Sequence, residues 1–165
     1  IDLVVATSAA TTNGFMGIFT GAPGYTVDAP NAGVTLNGQT TLKIEIGMAA
    51  EWFQQVDRKA LTVRLVGAQV YTDGSGGRCQ ILIDTPLTPT TADLTLYTIA
   101  LGSMTLAQGC DGGGFGSGVT SLEQALAKPI GEVHVQAVFP QVNTTVLSAG
   151  NEYPTGFTRG AAWFE

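Results

Sequence analysis

His134 is the single histidine of the chain, so a serine–histidine–acid or cysteine–histidine relay would have to be built around it. It lies in Glu132-Val133-His134-Val135-Gln136-Ala137, where apolar and polar residues alternate. On a strand that alternation puts Val133, Val135, Ala137 and Phe139 on one face and His134 on the other. His134 therefore reads as a solvent-facing or subunit-facing residue. A Gly-x-Ser-x-Gly nucleophile elbow is also absent, since neither Ser75 nor Ser117 has glycine two residues away on both sides. The expectation is a chain that is not an enzyme, with no catalytic residues.

The segment Gly109-Cys110-Asp111-Gly112-Gly113-Gly114-Phe115-Gly116-Ser117-Gly118 has the glycine content of a phosphate cradle. Such cradles use backbone N–H groups ahead of a helix N-terminus. The Walker lysine is missing, the dinucleotide-binding glycine spacing is not met, and Asp111 would repel a phosphate. A surface loop that adapts to a neighbouring subunit fits better. His134, Cys79 and Cys110 are zinc-ligand types, but none of the spacings of structural zinc sites is present. Asp73, Asp84, Asp93 and Asp111 flank turns, where aspartate is favoured for local hydrogen bonding, and calcium would need several of them to converge. No cofactor and no metal are expected.

Trp52, Phe53, Tyr71, Tyr97, Tyr153, Phe157, Trp163 and Phe164 include candidates for a sugar-stacking platform. Core and interface packing uses the same residue types. Asn143-Thr144-Thr145 matches the glycosylation sequon, a short pattern that means something only in a host with the machinery.

These residues must be positioned by a chain of 165 residues, the length of one domain. Hydrophobic residues make up 44% and charged residues 12%, about half the usual charged share. The first figure supplies a core and excludes the disordered acidic class. The second argues against long solvated helices, which need charged outer faces. No apolar run is long enough for a membrane-spanning helix. The net charge is −6, and Lys43, Arg58, Lys59, Arg64, Arg78, Lys128 and Arg159 never form a run longer than two. Without a basic cluster, neither nucleic acid nor an anionic membrane surface is an expected partner.

The dominant period is two. Leu61-Thr62-Val63-Arg64-Leu65 and Leu42-Lys43-Ile44-Glu45-Ile46 alternate as half-buried strands do. Cys79 to Asp84 and Asp93 to Ile99 are apolar on both faces, which predicts central strands or strands facing a second layer. Gly14 to Thr20, Thr144 to Ser148 and Gly156 to Phe164 are further strand candidates. Asn37-Gly38 predicts a type I′ hairpin, and Asp73 to Gly77 a hairpin tip. Thr85-Pro86 through Pro89-Thr91 should interrupt any ladder. Thr120-Ser121-Leu122-Glu123 predicts a capping box, with Thr120 as N-cap and a helix through Ala127. A second short helix is predicted over Met48 to Gln55.

Together these features predict one all-β domain over residues 1–165, a two-sheet sandwich of jelly-roll or immunoglobulin-like type with one short helix near 120–127. Cys79 and Cys110 fit either one disulfide or two buried thiols. The chain opens at Ile1, which fits a mature secreted product or a trimmed boundary. With 22 threonines, 22 glycines and three lysines, it has the composition of an extracellular, cell-surface or virion β-protein. Its general look resembles fimbrial subunits and jelly-roll coat proteins in composition and pattern. Ile1 to Thr7 is apolar and β-prone, and Ala161 to Phe164 is apolar, so either end could pair within its own sheet or add a strand to a neighbour. The expected role is a structural subunit of a self-assembling homopolymer, a pilus-type fibre or a capsid or coat. A secreted carbohydrate-binding module or adhesin is the alternative, with glycans as partners.

Overall fold

The computed structural model describes residues 14–21, 33–48, 61–139 and 162–164. Within them lie eight strands: β1 (Gly14–Gly21), β2 (Thr41–Met48), β3 (Leu61–Thr72), β4 (Arg78–Leu87), β5 (Thr95–Ala100), β6 (Thr105–Gln108), β7 (Ile130–Phe139) and β8 (Ala162–Phe164). One helix, α1 (Leu122–Leu126), and a 3-10 turn over Leu101–Ser103 complete the described elements. A five-stranded sheet runs β1-β7-β3-β4-β6, a three-stranded sheet runs β5-β2-β8, and every pairing is antiparallel.

Strand alternation builds the core as the sequence predicts. Leu61, Val63 and Leu65 of β3 are buried, while Thr62 and Arg64 between them are half-exposed. Ile81 and Ile83 of β4, Val135 of β7, and Ile46 and Ile99 of the smaller sheet join them in one cluster, so both sheets contribute to a single core. Fully burying one such aliphatic side chain contributes about 1.5–3 kcal/mol. At Val66 the registers to β4 and β7 both shift, marking a bulge. The bulge frees the Ala68 N–H to donate to the Pro129 carbonyl at 2.8 Å, which ties β3 to the entry of β7.

Three expectations need correction. Asn37 and Gly38 both have positive φ, and Gln39 N–H donates to the Leu36 carbonyl at 2.8 Å, as a type I′ turn requires. Its flanks are not a hairpin, however: Val34 bridges Ile130 on one sheet and β2 pairs with β5 and β8 in the other. Secondly, β4 runs on through Pro86, which stands opposite Thr62. Pairing with β6 ends at Asp84, so Pro86 lies on an edge where a missing N–H disrupts no ladder. Thirdly, the N-cap of α1 is Ser121, whose Oγ accepts from Gln124 N–H at 3.2 Å. Ser121-Leu122-Glu123-Gln124 satisfies the same capping pattern one residue later. That phase buries Ala125, and Gln124 Oε1 accepts from Thr120 N–H instead of Glu123 reaching back.

The apolar faces of β5 predict a central strand or one facing a second layer, and the second holds: β5 is an edge of the three-stranded sheet among the described residues, with Ile99 packed into the core it shares with the other sheet. Leu94 and Leu96 are 46% and 53% exposed there. β4, with the same pattern, does lie inside its sheet. The four-residue β6 carries too short a pattern to be read from sequence. Thr144 to Ser148 and the helix expected from Met48 to Gln55 fall outside the described residues, except for Met48 at the end of β2.

Tyr71 is buried in the core, and its hydroxyl has no hydrogen-bond partner among the described residues. Burial pushes its phenol pKa above the ordinary value. Tyr71→Phe is therefore expected to leave stability at pH 7 unchanged or raise it by up to about 1 kcal/mol, because an unpaired buried hydroxyl is removed. The folded chain holds this proton where the unfolded chain releases it, so stability should fall as pH rises beyond about 10. Urea titrations of both proteins at neutral and high pH check this: the variant should lose less stability across the alkaline range.

Candidate functional site

The alternation that buries Val63, Leu65 and Val135 turns a polar row outward on the five-stranded sheet. Register sets Asp84 of β4 opposite Arg64 of β3, and Arg64 opposite His134 of β7. Arg64 Nε and Nη2 each donate to a different Asp84 carboxylate oxygen at 2.8 Å. Hydrogen bonding to Asp84 raises the Arg64 pKa, against a smaller lowering by desolvation. Both side chains keep about a quarter of their surface in solvent, so the pair contributes about 1 kcal/mol at most.

His134 Nε2 meets Glu132 Oε2 at 2.5 Å, and its Nδ1 meets Gln136 Nε2 at 3.3 Å. With the proton on Nε2, a neutral ring donates to Glu132 and accepts from Gln136. The acid partner is a neighbour on the same strand face, at the next outward position, not the far wall of a cleft. Sequence alternation located His134 and its face, but the lateral row of Asp84, Arg64 and His134 needs strand register, which sequence does not carry.

The glycine-rich loop is held at its base by a Cys79–Cys110 disulfide, with the sulfurs 2.04 Å apart. This resolves the alternatives left open by sequence, and it engages both cysteines, so neither is available as a nucleophile or a metal ligand. Val119 N–H donates to the Gly109 carbonyl at 2.8 Å, closing the loop. Opposite it, the β3–β4 tip is organised by Asp73, whose Oδ1 accepts from Ser75 N–H at 2.8 Å and Gly77 N–H at 2.7 Å. The Asp73 carboxylate is thus engaged locally. Among the described residues, no group of three or more His, Cys, Asp or Glu could hold a metal ion.

An open cavity of about 280 Å³ lies between the sheets, lined mainly by apolar residues including Leu36, Leu42, Leu65, Leu101 and Val133. Val34, at its rim, is also exposed. Of the aromatic residues proposed for a sugar platform, Tyr71 is buried and Tyr97 is half-buried against the core. Trp52, Phe53, Tyr153 and Phe157 lie outside the described residues, and Trp163 and Phe164 belong to β8. Among the described residues no helix is long and apolar enough to cross a membrane.

Among the described residues β5 is also a sheet edge, and it is the one that carries exposed Leu96 and follows exposed Leu94. Leu101 N–H donates to the Thr40 carbonyl at 2.9 Å. The β2–β5 register continues that pair through Leu42–Ile99 and Ile44–Tyr97. Bonded and non-bonded pairs alternate in antiparallel ladders, so Ile99, Tyr97 and Thr95 direct their backbone groups to β2. Leu96, Thr98 and Ala100 direct theirs to the open edge. No family model, curated protein or solved structure matches the chain.

Proposed function

We propose that this chain is a structural subunit of a self-assembling homopolymer, extracellular or part of a virion, acting through subunit–subunit contacts. The observation that carries this reading is the β5 edge, open among the described residues, an uncharged strand that carries exposed Leu96 and follows exposed Leu94. Proteins that remain monomeric usually blunt such edges with lysine, proline, a bulge or a covering segment. The Cys79–Cys110 bridge supports an oxidising compartment, since structural disulfides are rare in the cytosol. A pilus-type fibre and a capsid or coat both fit, and a terminal segment adding a strand to a neighbour is one route to either. The glycan-binding alternative would need exposed rings on one face; among the described aromatic side chains, Tyr71 and Tyr97 are turned to the core.

Size-exclusion chromatography with light scattering, from micromolar to millimolar protein, tests the reading. The expected result is a mass that grows with concentration beyond the 17.0 kDa protomer. A species that keeps the protomer mass throughout would overturn it.

A further inference from the structure

We infer that the β5 edge is a self-pairing interface, joining β5 of one copy to β5 of a second in antiparallel register about a twofold axis. This inference rests on the homopolymer reading and specifies one of its contacts. Three features favour a second copy as occupant. The first is the backbone: Leu96 and Thr98 present donors and acceptors to an edge that is open among the described residues, whereas the Ala100 carbonyl already accepts from Ser103 Oγ, and a twofold-related strand offers the same set in the opposite direction. The second is apolar cover. Leu96 on the strand and Leu94 just before it stay exposed although the segment has the composition of a covered one, and a longer continuous sheet would shelter them.

The third feature is charge. Within one copy Glu45 of β2 stands opposite Leu96, and Lys43 stands opposite Thr98. If Tyr97 pairs with the partner's Tyr97 at the axis, Leu96 lies opposite the partner's Thr98. Each row across the joined sheets then reads Glu45, Leu96, the partner's Thr98, the partner's Lys43. Glu45 and the partner's Lys43 end each row about 14 Å apart, too far to attract appreciably, and because β5 is itself uncharged no like charges face each other across the joint. In this register Leu96 and Thr98 exchange main-chain bonds with the partner's Thr98 and Leu96, while Tyr97 forms the non-hydrogen-bonded pair on the axis. The contact closes on itself, so it makes a dimer, and the polymer grows from that dimer through a different surface.

Sedimentation of the full chain as wild type, Leu96→Lys, Thr98→Pro and Ala107→Lys tests the interface. Thr98 has its N–H at the open edge, so proline there spares the β2–β5 ladder. Ala107 is exposed on β6, at an edge of the other sheet. Leu96→Lys and Thr98→Pro should each weaken dimer formation at least tenfold while keeping the wild-type thermal midpoint at concentrations where all are protomers, and Ala107→Lys should leave dimer formation intact. Tyr97→Cys should form an intermolecular disulfide, because directly opposed non-bonded pairs bring Cα atoms within bridging range.

If the wild type associates and the two β5 variants associate equally well, the interface is wrong while the homopolymer reading stands. If both variants dissociate but Tyr97→Cys does not cross-link, a different segment occupies the edge and self-pairing is overturned. A wild type that never leaves the protomer mass removes both.

Discussion

Replacing Cys79 and Cys110 together by alanine is expected to lower the unfolding free energy by about 3–4 kcal/mol. The bridge closes a loop of 31 residues, and in the chain-entropy view a cross-link of that length removes about that much freedom from the unfolded chain. The bridge also carries the β4–β6 pairing, which reaches Gln108, on into the glycine-rich loop. Cys79 belongs to β4 near the hairpin tip, whereas Cys110 leads into the glycine-rich loop, is buried, and has a positive φ of 58°. For a chain of this length the loss corresponds to a fall of roughly 10 °C in thermal midpoint. Calorimetry of the double variant, and of the wild type under reductant, measures it. Both should move together, and a change of less than about 1 kcal/mol in either would show that the loop is held without the bridge.

Gly118→Ala is expected to be about as damaging, at about 3 kcal/mol or more. A Cβ on Gly118 would lie 2.2 Å from both the carbonyl carbon and the oxygen of Cys110. The facing strand of the same loop is equally crowded: a Cβ on Gly109 would come within 1.9 Å of the Val119 carbonyl oxygen. Both neighbours are backbone, so no side-chain rotation relieves the clash. The two ends of the loop cross in direct contact because neither carries a side chain there, and the Val119-to-Gly109 hydrogen bond depends on that contact. Gly102→Ala is the control, since nothing lies within 4 Å of its Cβ position. Urea unfolding of the two variants should separate them by several-fold in lost stability. Equal, small losses would mean that the crossing is not tight in solution.

That crossing also shows where sequence reasoning stops. Gly109 to Gly118 is legible as a loop from its glycines, but which glycines touch backbone depends on long-range closure. Period-two alternation was sufficient for β3, β7 and the buried set Val63, Leu65 and Val135, because a half-buried sheet imposes that pattern on its own residues. It left β5 open between a central strand and one facing a second layer, since an apolar pattern does not say which strand stands beside it; the structure gives the second. Pro86 misled because proline excludes a hydrogen-bonded ladder position, not an edge. At the polar row, the types and faces of Arg64, His134 and Glu132 could be read individually. Their lateral order could not, because register is fixed by the hairpin at Asp73–Gly77 and the bulge at Val66.

Electron microscopy of the oxidised, full-length chain at high concentration tests the central claim most directly. The account predicts one repeating assembly, filament or closed shell, in which subunits are related by a fixed operation and the β5 edges of neighbours meet. A field of separate particles no larger than the 17.0 kDa chain, under conditions where the disulfide is intact, would contradict it.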